Sequence, residues 1–277
     1  MTIHVDVMDL MARLRDAEEA FVLATVVRTV SVTAAKAGAK AIIRPDGTVA
    51  AGWIGGGCAR GAVLRAARAA LSDGQPRLVS VQPGDLLAEV GVKPGEARDG
   101  IQFARNMCPS RGSMDIFIEP VLPHPLLVVL GSSPVALALA DMAPALGFHV
   151  TVAAPAGEFS EPPSCDRFVD GFDVEEGSNG HRFVVVSTQG KGDEKALRAA
   201  VGLQADYCAF VGSRRKLAAL REELIAGGVE PSAFDRIKGP AGLDLGAITP
   251  EEIALSILAE MTAVRRRGQR GTAEDKA

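Results

Sequence analysis

Residues 123–155 read PHPLLVVLGSSPVALALADMAPALGFHVTVAAP, and this stretch constrains the fold more than any other. Two continuous apolar runs, LLVVL and HVTVAA, flank a segment of helical length that opens after Gly131. Strands that are apolar on both faces must be covered on both faces. Joined through a helix, they become parallel neighbours in an α/β sheet. FVVVST (183–188) and YCAFVG (207–212) read as further buried strands of the same kind, the second leading into the helix SRRKLAALREELIAGG. A final helix carries full start signals: Thr249 as cap, Pro250 in the first turn and Glu252 to close a capping box. Ile253, Ile257 and Met261 fall on one of its faces.

The N-terminal half has a different style. Residues 5–19 have helical spacing, and FVLATVVRTV (21–30) is a β-branched run that predicts a buried strand. AKAIIRPDGTVAAGWI (39–54) predicts a hairpin around Pro-Asp-Gly. ARGAVLRAARAALSDG (59–74) predicts a helix ended by Gly74. Residues 83–112, rich in Gly, Pro and charge, read as irregular, and SMDIFIEPVL (113–122) returns as a strand. Pro-His-Pro at 123–125 cannot continue a helix and suits a linker. The expected organisation is therefore a domain over 1–122, a second over 123–268, and a disordered tail over 269–277.

Composition narrows the function classes. The net charge is −4, with no basic block outside the tail and no aromatic ladder, which argues against nucleic acid as a partner. No apolar run reaches the roughly 18 residues of a membrane span. The first ten residues lack the layout of a signal peptide. Cys58, Cys108, Cys165 and Cys208 are far apart and form no C-x-x-C pair, so neither a zinc knuckle nor a disulfide framework is suggested. Free thiols in a reducing cytoplasm are the expectation.

The chemistry-bearing motifs sit at junctions. In GWIGGGCARG (52–61), Gly55, Gly56 and Gly57 precede Cys58 and a helix. Glycines let backbone amides approach a ligand, and a helix N-terminus offers unpaired donors and a positive dipole end. Cys58 in that field, with Arg60 nearby, is biased toward thiolate, able to hold a soft metal or react with a sulfur species. The alternative is a tight turn with an inert thiol. Cys108, in NMCPSRG, would complete a two-thiol site if the fold brings it to Cys58. Gly131, Ser132 and Ser133 stand where a G-x-G-x-x-G fingerprint would stand, with Ser133 narrowing the space for a pyrophosphate. No acid ends the following strand at Ala153-Ala154-Pro155, which weakens ordinary NAD binding. Gly212, Ser213, Arg214, Arg215 and Lys216 bring three cations to a helix start, where the macrodipole disfavours them and an anionic ligand would relieve them. Thr188 and Gln189, after FVVVST, share that carboxyl edge, and Asp244 stands in the glycine-spaced loop PAGLDLGAIT (240–249).

Taken together, GAKAIIRPDGTVAAGWIGGGC, IEPV, VGSRRK and GPAGLDLGAITPEEIALSILAE resemble the XdhC/CoxI/CoxF family, the accessory proteins that mature molybdenum hydroxylases. The resemblance runs over roughly residues 20–268. It implies an N-terminal α/β domain bearing the GGGC loop and a C-terminal Rossmann-like parallel-sheet domain. It also implies transient binding of molybdenum cofactor, help with its sulfuration, and partnership with a target hydroxylase and a sulfur donor protein, with homodimerisation left open. This chain departs from the family pattern at Arg60, at Cys108-Pro109-Ser110, at Gly131-Ser132-Ser133-Pro134 and at Thr188-Gln189-Gly190. These departures resemble the CoxF-type branch. They imply service to carbon monoxide dehydrogenase and its molybdenum-copper site, with Cys58 and Cys108 as ligands for copper or sulfur. A dinucleotide in the second domain is FAD as readily as NAD. The competing expectations are a flavin- or NAD(P)-binding oxidoreductase and a docking scaffold that holds no ligand.

Overall fold

The computed structural model describes residues 6–109, 111–175 and 181–266, with Cys58 described by its backbone alone. The tail expected to be disordered lies outside the described residues. Two compact units divide the chain, Met1–Pro123 and His124–Ala277. No described helix is long and apolar enough to cross a membrane.

The first unit runs α1 (Val7–Asp16), β1 (Phe21–Val30), β2 (Lys40–Ile43), β3 (Val49–Gly52), α2 (Gly57–Asp73), β4 (Arg77–Pro83), α3 (Gly84–Val90), β5 (Ala97–Arg98), β6 (Ile101–Asn106) and β7 (Ser113–Val121). Its seven strands form one sheet in the order β3-β2-β1-β7-β4-β6-β5. Every pairing is antiparallel except β4 with β6. The core forms because Ala59, Ala62, Val63, Ala66, Ala67 and Ala70 recur at helical spacing along α2 and lie buried against Val22, Ile116 and Ile118 of the sheet. An alanine stripe lets that helix sit close to the strands. Gly74 ends it in the left-handed region (φ +70°), its N–H donating to the Ala70 carbonyl. On another cluster, α1 covers Phe21 and Ile42 with Leu14.

Residues 83–112 are not irregular. Their glycines and prolines mark the ends of elements rather than interrupting them: Pro83 caps α3, and Gly91 closes it with φ +69°. Leu87, Val92 and Phe103 bury a small cluster of their own, which holds α3 against β6. The short elements hid this order, because seven residues of helix give too little periodicity to read.

The second unit runs β8 (Leu126–Leu130), α4 (Pro134–Met142), β9 (His149–Ala154), β10 (Arg167–Asp170), β11 (Arg182–Val186), α5 (Asp193–Gly202), β12 (Tyr207–Phe210), α6 (Arg214–Ala226), α7 (Pro231–Phe234), β13 (Ile237–Lys238) and α8 (Pro250–Arg265). The sheet is parallel throughout, in the order β10-β9-β8-β11-β12-β13. Numbered from β8, that is 3-2-1-4-5-6, the doubly wound order whose direction reverses between β8 and β11. Buried residues of α4 and α8 cover one face, and those of α5 and α6 the other. The Thr249–Glu252 capping box starts α8, and its Ile257 and Met261 are fully buried.

Candidate functional site

In the first domain the three glycines divide their work. Gly55 adopts φ +111°, a conformation that side chains resist. At Gly56 and Gly57 an added Cβ would meet nothing within 4 Å. Those two glycines line a cavity of about 300 Å³, and Cys108 lines it too. Gly56 is the N-cap of α2, gives no side-chain cap, and no acid stands in the first turn. A 17-residue helix thus starts on this cavity with neither a cap side chain nor a first-turn acid among the described residues to offset its positive end. Cys58 is in that first turn by its backbone; its side chain lies outside what is described.

Cys108 is exposed and held by local turns. Its N–H donates to Asn106 Oδ1 at 2.9 Å, and its carbonyl accepts from Arg111 N–H at 3.1 Å. Gly112 stands so close to the 31–34 loop that a Cβ would lie 2.2 Å from the Val32 carbonyl oxygen. That approach carries the Cys108 turn to the cavity wall beside Val32 and Thr33. Among the described residues no group of three or more His, Cys, Asp or Glu converges as a metal site.

In the second domain, Gly131 (φ +132°) is demanded by its neighbour across the sheet: a Cβ would stand 2.2 Å from the Ser187 carbonyl oxygen. Ser133 does not narrow the space outside the turn. It is buried, caps α4 by accepting from Ala136 N–H at 3.2 Å, and shares a hydrogen bond with Ser187 Oγ at 2.7 Å. Three amides of the fingerprint turn are already spent, Gly131 on Ala153, Ser133 on Ser187 and Ala136 on the cap. Pro134 has no N–H to give. The turn is poorly furnished for a pyrophosphate.

An acid does reach that turn. Glu158, four residues past the end of β9, accepts a hydrogen bond from the Ser132 hydroxyl. Its turn is pinned by Ala156 N–H donating to Asp170 Oδ1 at 2.8 Å, at the end of β10. The sequence alone gives Glu158 no distinction from a loop acid, since only the turn after β9 folds it back.

The helix start at 213–216 resolves its own charge conflict in part. Lys216 Nζ lies 2.6 Å from Asp193 Oδ2 and 5.5 Å from the Phe210 ring centre. Asp193 is buried at the start of α5 and accepts from the Thr188 hydroxyl and from Gly190 N–H at 3.3 Å. Burial works against its ionisation, but Lys216 and Thr188 outweigh that and hold its carboxyl below the usual range. Thr188 therefore faces Asp193, and Gln189 is exposed in the left-handed region at φ +53°. Arg214 and Arg215 are exposed and make no ion pair among the described residues. Gly212 leaves room for the Phe210 ring, which a Cβ would approach to 2.4 Å.

Beside this helix start lies a cleft of about 700 Å³, walled by Gly212, Ser213 and Arg214 on one side and by the 239–247 loop with Asp244 on the other. Ser213 caps α6 through Lys216 N–H at 3.2 Å, which leaves the first-turn amides of Arg214 and Arg215 unsatisfied by the helix. The loop is anchored by a polar knot. Glu260 of α8 accepts from Tyr207 Oη at 2.7 Å, from Gly242 N–H at 3.0 Å and from Lys238 Nζ. Burial opposes the charge on Glu260, yet Lys238 and Tyr207 hold its carboxyl low. Burial and Glu260 together push the Tyr207 phenol far up. Glu158, Asp193 and Glu260 could not be singled out from spacing, since Ser132, Lys216 and Tyr207, to which they bind, lie 23 to 53 positions away in the chain.

The comparisons with known proteins agree with this architecture. Residues 14–82 match the XdhC and CoxI family, and residues 127–261 match the XdhC Rossmann domain. The uncharacterized protein YqeB of Escherichia coli K12 is 29% identical over 245 residues, 84% of this chain and 41% of that protein. A Bacillus subtilis 168 protein described as a probable xanthine dehydrogenase subunit is 30% identical over 161 residues, 55% of this chain and 47% of that protein. The chain thus spans less than half the length of the curated relatives it matches. A crystal structure of a xanthine dehydrogenase from Bacillus halodurans covers 97% of this chain and 98% of its own at 18% identity, with a TM-score of 0.45. With both of its domains matched, the chain belongs to the XdhC family.

Proposed function

We propose that this protein is an accessory factor in the maturation of a molybdenum hydroxylase, holding the molybdenum cofactor while it is sulfurated or passed to the target enzyme. One observation carries this: Gly56, Gly57 and Cys108, more than 50 positions apart in the sequence, line a single cavity at the start of α2, which has no side-chain cap. The residues fit such a guest. The open faces of Gly56 and Gly57 admit a bulky group, the helix end favours an anion, and a thiol is a soft donor. When bound, the cofactor supplies a molybdenum centre with exchangeable sulfur and oxygen positions. The chain's own part is to seat it, shield it, and present Cys108 and Cys58 to it.

The departures at Arg60, Cys108-Pro109-Ser110 and the Gly131 turn favour a carbon monoxide dehydrogenase as the target, with copper as a second guest of the thiols. In the second domain we assign the phosphate-bearing ligand, FAD or NAD, to the cleft beside Arg214 and Asp244. The room there and the unspent amides of α6 support this more than the closed turn at Gly131 does.

The test is Cys58→Ser and Gly57→Ala, each co-expressed with the target hydroxylase. A chain that handles the cofactor yields target enzyme lacking sulfur and activity. Full activation by both variants makes the protein a docking scaffold. Turnover of NAD(P)H by the purified chain makes it an oxidoreductase. Mass spectrometry of small molecules and metals released on heating identifies the guest.

A further inference from the structure

A second cavity of the first domain, about 700 Å³, is walled by the β4–α3 junction and the segment after β6. It shares Asn106, Met107 and Cys108 with the glycine cavity, so one strand end serves both. Its floor is apolar, from Leu87 and Val92 of a buried cluster. Its charged groups are Lys93, Arg105, Arg111 and one acid, Asp85. Arg111 is paired with Asp85. The acid nearest Lys93 in sequence, Glu96, is bound to Arg98 at 2.8 Å and to the Lys93 backbone N–H at 2.9 Å. Arg105 lies across Gly84: a Cβ there would stand 3.0 Å from its Nε and 3.4 Å from its Cζ. Two cations thus face one cavity: Arg105 makes no ion pair among the described residues, and the one carboxylate that feels Lys93, that of Glu96, is already engaged by Arg98. Like charges held together over an apolar floor gain from a shared anion. The planar fork of an arginine matches phosphate oxygens in geometry, and a lysine adds a point charge.

We propose that this cavity binds a phosphate monoester through Arg105 and Lys93, and that the rest of the same ligand extends past Cys108 into the glycine cavity. The anion site stands on these residues alone. Its identification with the phosphate end of a pterin rests on the maturation role above.

The experiment titrates the isotope-labelled full chain with inorganic phosphate, against chloride at matched ionic strength, and follows Arg105 Nε–H and the Gly84 and Lys93 amides by NMR. Saturable shifts specific to phosphate are expected. Affinity should fall at least tenfold in Arg105→Gln and in Lys93→Gln and stay unchanged in Arg44→Gln, a surface residue paired with Glu19. Gly84→Ala gives a second variant, since it displaces only the flexible Arg105 side chain and should weaken phosphate binding in a protein that remains folded. Shifts that fail to saturate, that chloride reproduces, or that survive both charge substitutions overturn the proposal. Phosphate binding in a chain that releases no pterin keeps this site and removes the maturation role. A released pterin whose retention ignores Arg105→Gln overturns the ligand that spans both cavities.

Discussion

Ser133 Oγ lies 2.7 Å from Ser187 Oγ, and this buried contact ties the turn after β8 to the turn after β11. Those are the two neighbouring strands at which the parallel sheet reverses its winding. In dinucleotide-binding sheets that crevice opens to the ligand. Here it is laced shut by the two serines, by Ser133 N–H reaching the Ser187 carbonyl at 3.3 Å, and by Ser132 with Glu158.

Removing either serine hydroxyl should weaken the second domain. Ser187→Ala is expected to cost about 1 kcal/mol. Ser133→Ala should cost about 1–2 kcal/mol, because it also loses the cap of α4. The double variant should fall short of the sum by about 0.5–1 kcal/mol, the signature of a shared contact. Urea unfolding followed by Tyr207 emission reads this domain, since the single tyrosine lies in it and the single tryptophan, Trp53, lies in the first.

Two glycines should respond in opposite ways. Gly131→Ala forces a Cβ onto the Ser187 carbonyl and should destabilise by more than about 2 kcal/mol. Gly57→Ala meets open space in a helical residue and should leave stability unchanged or raise it by up to about 1 kcal/mol. If Gly57 serves a ligand, the purified variant nevertheless retains less of it. Thermal melts paired with mass spectrometry of the released ligand separate the two effects.

Acid should loosen the second domain through Asp193 and Glu260. Both carboxyls are held below the usual range in the folded chain. In the unfolded chain they titrate near 4, where the unfolded state binds more protons. Their contribution is therefore complete above about pH 4–5 and is lost as pH falls through their lowered folded values. Asp193→Asn should lower stability at neutral pH by about 2 kcal/mol and flatten the acid limb. Urea midpoints for Tyr207 emission between pH 7 and pH 3 give both slopes; parallel slopes would remove Asp193 from the linkage.

The thiols should differ sharply in reactivity. Burial pushes Cys208 up to about 12, and burial also raises Cys165. At pH 8 burial therefore keeps Cys208 as the thiol, in a side chain with little access to solvent. Brief alkylation of the native chain at pH 8, followed by peptide mapping, should label the exposed Cys108 and spare Cys208 until the protein is unfolded. Comparable early labelling of both would contradict the burial of β12.

Some of this protein is written in short spans of its sequence. The alanine stripe of α2, the Thr249–Glu252 capping box, the Gly74 stop and the strand–helix–strand run at 123–155 each depend on residues within a few turns of one another, so periodicity and capping chemistry determine them. The tertiary structure decided the rest. It turned the Gly- and Pro-rich 83–112 segment into a helix and a strand parallel to β4. It brought Cys108 to the cavity of Gly56 and Gly57, folded Glu158 back onto Ser132, and set Asp193 against Lys216. Those pairings join residues 23 to 52 positions apart, and strand order and close backbone approach create them. No local pattern encodes them, because a side chain's partner across a sheet is chosen by which strands become neighbours.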